Sequence, residues 1–107
     1  MKMIMAIVSN EDNSKVSSGL TKEGFFVTKL ATTGGFLMSG NTTIMVGTDE
    51  NNVDKVIEII GKHSKKRTKM VASSASFGMD MGISIPIEVS VGGATIFVLN
   101  VDRFEKL

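Results

Sequence analysis

The sequence has no cysteine, no tryptophan and no tyrosine, and it carries one proline and one histidine in 107 residues. Without cysteine there is neither a disulfide framework nor a thiolate metal site, which fits a reducing cytoplasm. A zinc site would have to lean on carboxylates around the lone His63, which sits in the charged stretch HSKKR and reads as a solvated loop histidine. Any Ser-His-Asp arrangement would have to recruit that same histidine, and no serine sits in a nucleophile elbow, so the chain does not read as an enzyme. Charge of one sign is not in excess either. The net +1 exerts no global pull toward nucleic acid or acidic membranes. No apolar run approaches the roughly 20 residues a membrane helix needs. The opening MKMIMAIV stops at Val8 before polar SNEDN, with no small-residue cleavage pattern. It reads as a first strand rather than a signal, and the chain is expected to be mature and intracellular as written.

What is present suits one modest soluble domain covering residues 1–107. Apolar residues make up 42% and charged residues 21%, which excludes a disordered chain. Eight methionines imply a core packed partly by flexible thioethers. Met3–Val8 is a continuous apolar run, the pattern of a strand covered on both faces or central in a sheet. The polar cluster Asn10–Asn13 can cap a helix that uses Val16 and Leu20 and ends at Gly24. Phe25–Thr32 and Thr42–Val46 read as strands joined by the glycine-rich turn Gly34–Gly40. Thr48 or Asp49 then caps a second helix. There Val53, Val56, Ile57 and Ile60 fall at i, i+3, i+4 and i+7, and Gly61 can end it.

From Lys62 to Gly82 periodicity is lost, and such a long irregular segment in a small domain is usually functional or mobile. Ile83–Val91, with Pro86 near its start, and Ala94–Val101 read as strands about a Gly92-Gly93 turn, giving a C-terminal hairpin. The order β-α-β-β-α-loop-β-β predicts an α+β, ferredoxin-like antiparallel sheet with two helices on one face. Its other face would be apolar and uncovered in a monomer, so self-association is expected.

The basic run Lys62, Lys65, Lys66, Arg67 and Lys69 has no interleaved aromatics and reads chiefly as a solvated helix end, with a minor role in attracting an anion. TTGGF is neither a Walker A loop nor a GxGxxG fingerprint. Even so, Gly34 and Gly35 can present backbone N–H groups to an anion, Phe36 can stack on a ring, and Asn41 can meet the N6/N7 edge of adenine. Equally, this could be a hairpin turn whose Phe36 packs on a neighbouring subunit.

The run Thr28-Lys29-Leu30-Ala31-Thr32-Thr33-Gly34-Gly35-Phe36-Leu37, followed by Gly40-Asn41-Thr42-Thr43, closely resembles the stand-alone PII-like cyclic-di-AMP receptors of Gram-positive bacteria. The start MKMI and AIV, the run Val91-Gly92-Gly93-Ala94-Thr95-Ile96-Phe97-Val98-Leu99 and the ending Val101-Asp102-x-Phe104 match the same family. The likeness runs end to end and is weakest in Lys62–Gly82, which is shorter than the family's usual loop. It implies a PII-like homotrimer, not an enzyme, that holds cyclic di-AMP in clefts between subunits and reorders loops toward a downstream protein partner. It implies no cofactor or metal, no nucleic-acid partner and no membrane insertion. By position, Thr28, Gly35, Phe36, Leu37, Asn41 and Gly47 would line the pocket, with Gly92, Gly93, Ala94 and Phe97 coming from the adjacent chain.

Three positions depart from the family pattern. Arginine is common where this chain has Phe26, a basic residue at Met38, and glutamine near Lys106. Losing a charge-assisted contact to a phosphodiester costs on the order of 1.5–3 kcal/mol, roughly ten- to a hundred-fold in affinity, which Lys29 or Lys106 would offset in part. The rival expectations are an interaction protein that kept the fold and lost the nucleotide, and a sensor of another adenine nucleotide.

Overall fold

Alternation along the first strand sets the architecture, described here from a computed structural model over residues 1–30, 40–73 and 85–107. In β1 (Lys2–Ser9), Ile4, Ala6 and Val8 are fully buried on one face, while Met3, Met5 and Ile7 are half-buried on the other. Ser9 ends the strand and caps α1 (Asn10–Lys22), its hydroxyl accepting from the Glu11 N–H at 3.2 Å. The cap is therefore Ser9, and the polar cluster Asn10–Asn13 expected to supply it lies inside the helix. Acidic Glu11 and Asp12 suit the positive end of the helix dipole. The helix stops where Gly24 turns to φ +88°, with Gly24 N–H donating to the Thr21 carbonyl and Phe25 N–H to that of Leu20. That is a Schellman closure, and it needs the glycine.

Strands β2 (Val27–Leu30) and β3 (Asn41–Thr48) follow, then a single 3-10 turn (Glu50–Asn52) and α2 (Val53–His63). On α2, Val56 and Ile60 are fully buried, and Val53 and Ile59 pack against them. Ile57, expected on this face, and Ile59 are both half-buried, and Ile59, which the spacing did not mark, also packs against the core and is turned toward α1. The helix also runs through Gly61 to His63. Ser64 ends it, its hydroxyl donating to the Ile60 carbonyl at 2.5 Å.

The remaining strands are β4 (Arg67–Ser73), β5 (Ile85–Val91) and β6 (Ala94–Asn100). The main sheet has the order β2-β3-β1-β6, antiparallel throughout, with Met5 opposite both Met45 and Phe97. Two helices cover one face of it, the ferredoxin-like α+β arrangement expected. The core, Ile4, Ala6, Val8, Val16, Leu20, Ile44, Val46, Val56 and Ile60, lies between helices and sheet.

The C-terminal hairpin is corrected. β5 pairs with β4 in a separate two-stranded ribbon, Arg67 opposite Val91 and Ser73 opposite Ile85, while β6 pairs with β1. The segment expected to be irregular thus contains the end of α2 and the whole of β4. Gly92 and Gly93, at φ +88° and +79°, form the elbow that carries the chain from ribbon to sheet. At Gly92 a Cβ would lie 2.3 Å from the Lys65 carbonyl oxygen, and the Gly93 N–H donates to the Ser64 carbonyl, so the elbow is tied to the end of α2.

Candidate functional site

Cross-strand partners project from the same side of a sheet, so Met3, Met5 and Ile7 share the open face with Met45, Thr28, Phe97 and Leu99. Phe97 and Leu99 remain 48% and 45% exposed there. A groove lies at each end of this face. Met3 and Ile7 mark the two ends, and a strand rises about 3.3 Å per residue, so they stand roughly 13 Å apart.

At the first end, Asn41 at the start of β3, Gly92, Gly93 and Ala94 of the elbow, and Lys66 surround a groove of about 370 Å³. Asn41 and Gly92 also border a neighbouring groove of about 370 Å³ with Ser9, Asn10 and Glu11. The strand ends are fixed by Asn10, whose N–H donates to the Gly40 carbonyl at 2.7 Å and whose side-chain oxygen accepts from the Thr42 hydroxyl. Gly93 has already given its N–H to Ser64, so that amide does not face the groove as a free anion donor. Lys66 supplies the positive charge there instead, in line with the minor anion-attracting role that the basic run allowed.

Arg67 anchors the ribbon beside this groove. Its guanidinium donates to both carboxylate oxygens of Asp12 (3.2 and 3.0 Å), to Glu11 (3.2 Å) and to the Lys65 carbonyl (3.0 Å). The Asp12 side chain is only 5% exposed, so the pair neutralises a charge that would otherwise be buried alone. Lys69 donates to Glu11 at 2.7 Å, and that hydrogen bond, with the lysine charge and then Arg67, holds the Glu11 carboxyl below its ordinary value. The hydrogen bond to Asp12, the largest influence, raises Arg67 above its ordinary value.

At the other end, Thr28 on β2 and Gly47 on β3 border a groove of about 480 Å³ with Met3, Phe26, Phe104 and Lys106. Two of the three departures from the family pattern, Phe26 and Lys106, thus fall in one place. Phe26 is 89% exposed and offers a ring where a guanidinium is common. Phe104, half of this groove's aromatic character, was visible beforehand only as part of the terminal motif.

Of the expected site residues, Asn41, Gly92, Gly93 and Ala94 meet in one groove, Thr28 and Gly47 meet in the other, and Phe97 stands on the open face opposite Met5. Gly35, Phe36 and Leu37, with Met38, lie outside the described residues. His63 is half-buried against α1 rather than solvated in a loop. Among the described residues no helix is long and apolar enough to cross a membrane.

A crystal structure of a functionally unknown protein from Pediococcus pentosaceus ATCC 25745 is similar to this chain. It is 42% identical, with a TM-score of 0.75, over 99% of this chain and 96% of that one. A family model described as cyclic-di-AMP receptor matches residues 1–107, from the first strand through both grooves to the terminal segment. The chain belongs to the cyclic-di-AMP receptor family.

Proposed function

We propose that the protein is a cytoplasmic, non-enzymatic receptor that binds cyclic di-AMP between the subunits of a homotrimer and signals to a protein partner. The observation that carries this reading is the division of the family-matched residues between the two ends of one sheet face on which, among the described residues, no helix packs and Phe97 and Leu99 stay exposed. Packing of subunits through that face joins the Thr28 and Gly47 groove of one chain to the Gly92 and Ala94 groove of the next. The ligand's two adenines and two phosphates call for paired subsites of this kind. Asn41 can match an adenine edge, Phe36, Phe26 and Phe104 offer rings for stacking, and Lys66 and Lys106 bring positive charge. Occupancy beside Gly92 would be felt in the ribbon, because the elbow continues directly from β5, where Val91 pairs with Arg67, and is fastened to Ser64 by the Gly93 N–H. A rearrangement of the ribbon is then the signal a partner reads.

Phe26 supports a second reading, in which the fold persists as an interaction protein without the nucleotide. Calorimetry with cyclic di-AMP, cyclic di-GMP and ATP separates the two. On the receptor reading, cyclic di-AMP binds in preference to the others. Phe36→Ala then removes stacking worth about 1–3 kcal/mol. Asn41→Ala lowers affinity and erodes discrimination against guanine, and Phe26→Arg tightens binding with an added salt dependence. If neither wild type nor Phe26→Arg binds any of the three ligands, the receptor reading fails and the interaction protein stands.

A further inference from the structure

The helical side of the molecule carries a concave surface that the nucleotide reading does not use. An open crevice of about 750 Å³ runs between α1 and α2. Lys15, Ser18 and Lys22 line it from α1, and Lys62 and His63 from α2, with Gly19 and Ile59 between them. Gly19 lets α2 approach α1 closely at the crevice. A Cβ there would fall 2.8 Å from two atoms of the His63 ring and 3.2 Å from Ile59 Cγ2, so the ring lies directly against the α1 backbone. Glycine is otherwise a poor residue for a helix interior.

Positive charge is in excess in the crevice. None of Lys15, Lys22 and Lys62 makes an ion pair with a described residue. Glu23, the one carboxylate among the described lining residues, lies 3.7 Å from Lys55 and is paired there. The form of the surface selects the kind of anion. Among the described residues the crevice is open and does not enclose a single dehydrated phosphate, and Lys15 and Lys22 are spread along α1 by about 10 Å at 1.5 Å per residue. A polypeptide segment can present carboxylates at that spacing and an apolar side chain to Ile59 between them. We propose that the α1–α2 crevice docks an acidic, amphipathic segment of a partner protein. The helices cover the sheet face opposite the open one, so the crevice stays accessible when the open face is occupied. The inference holds with or without bound nucleotide.

The test uses the full chain, isotope-labelled for amide shifts, and a fluorescein-labelled synthetic peptide rich in glutamate and leucine. Its comparison arms are the same peptide with lysine for glutamate, tripolyphosphate, and vesicles containing anionic lipid. The acidic peptide is expected to bind saturably and to shift the amides of Ser18, Gly19 and His63. Lys22→Glu and Lys62→Glu should each weaken it by roughly fivefold. Gly19→Leu, which must push the His63 ring out of its place against α1 without changing charge, should weaken it as well, whereas Lys65→Glu, with the same charge change just beyond α2, should not. If Gly19→Leu fails to fold, the two charge reversals on exposed side chains decide. Equal weakening by Lys65→Glu, shifts confined to the lysines of the 65–69 segment, or tighter binding of tripolyphosphate or vesicles at the same amides would overturn the proposal. Calorimetry of Lys22→Glu with cyclic di-AMP reports separately on the nucleotide site, which this substitution leaves intact.

Discussion

Thr43 shows what a single residue contributes on the open face. It stands opposite Ile7 in the sheet and is 3% exposed, and its hydroxyl finds no hydrogen-bond partner among the described residues. A buried hydroxyl without a partner carries a desolvation penalty that an apolar group of the same shape avoids. Thr43→Val is therefore expected to raise stability by about 1 kcal/mol. Urea unfolding should show a higher midpoint at unchanged slope, and a lower midpoint would mean that the hydroxyl has a partner. Gly92 illustrates the opposite case, a residue whose absence of side chain is required twice. Its φ of +88° disfavours any Cβ, and the Lys65 carbonyl occupies the space one would need.

At the scale of elements, the strands and helices that alternate or repeat cleanly were legible, and the ribbon was not. The apolar run of β1 and the i, i+3, i+4, i+7 spacing of α2 each reflect burial of one face, so pattern and structure agree. Ile59 packs on the core although the spacing does not mark it, because α1 crosses it at Gly19, a neighbour that periodicity along α2 does not reveal. β4, RTKMVAS, alternates weakly and carries exposed cations, and its partner β5 lies beyond a long intervening segment. The Gly-Gly pair gave no discrimination, since a hairpin turn and a crossover elbow both require positive φ. Asn41, Gly92, Gly93 and Ala94 were recognisable from motif likeness, but their meeting in one groove depends on the β1–β6 register, which the residues themselves do not announce. The basic run marked Lys66 as a cation for an anion, but not its place at this groove, for the same reason.

What fastens the ribbon is side-chain chemistry. Because Lys69 and Arg67 lower the Glu11 value in the folded protein, this contact stabilises above the ordinary value of 4.5 and is lost as pH falls through the lowered folded value. The raised Arg67 value changes nothing in that range. Acidification below 4.5 should therefore reduce hydrogen-exchange protection in residues 68–70 ahead of β1, and Glu11→Gln should produce the same loss at neutral pH. Unchanged protection in Glu11→Gln would show that Asp12 alone holds Arg67 in place.

For the whole molecule, the two faces of the sheet make different demands. The helix-covered face holds the fully buried core, which gives the fold its independence. The open face sets Met3, Met5, Ile7 and Met45 beside half-exposed Phe97 and Leu99, a continuous apolar surface with a groove at either end. Continuous apolar patches of this kind mark association sites, and here association would also complete the ligand site. At micromolar concentration the chain is expected to sediment as a trimer of 11.5 kDa subunits. Phe97→Glu places a charge at the centre of that surface while leaving Ile4, Ala6, Val8, Ile44 and Val46 untouched on the other side. It should yield a folded monomer, with circular dichroism unchanged and cyclic di-AMP binding lost together with the trimer. A variant that stays trimeric would move the subunit boundary off this face, and a monomer that still binds the dinucleotide would place the whole site within one chain.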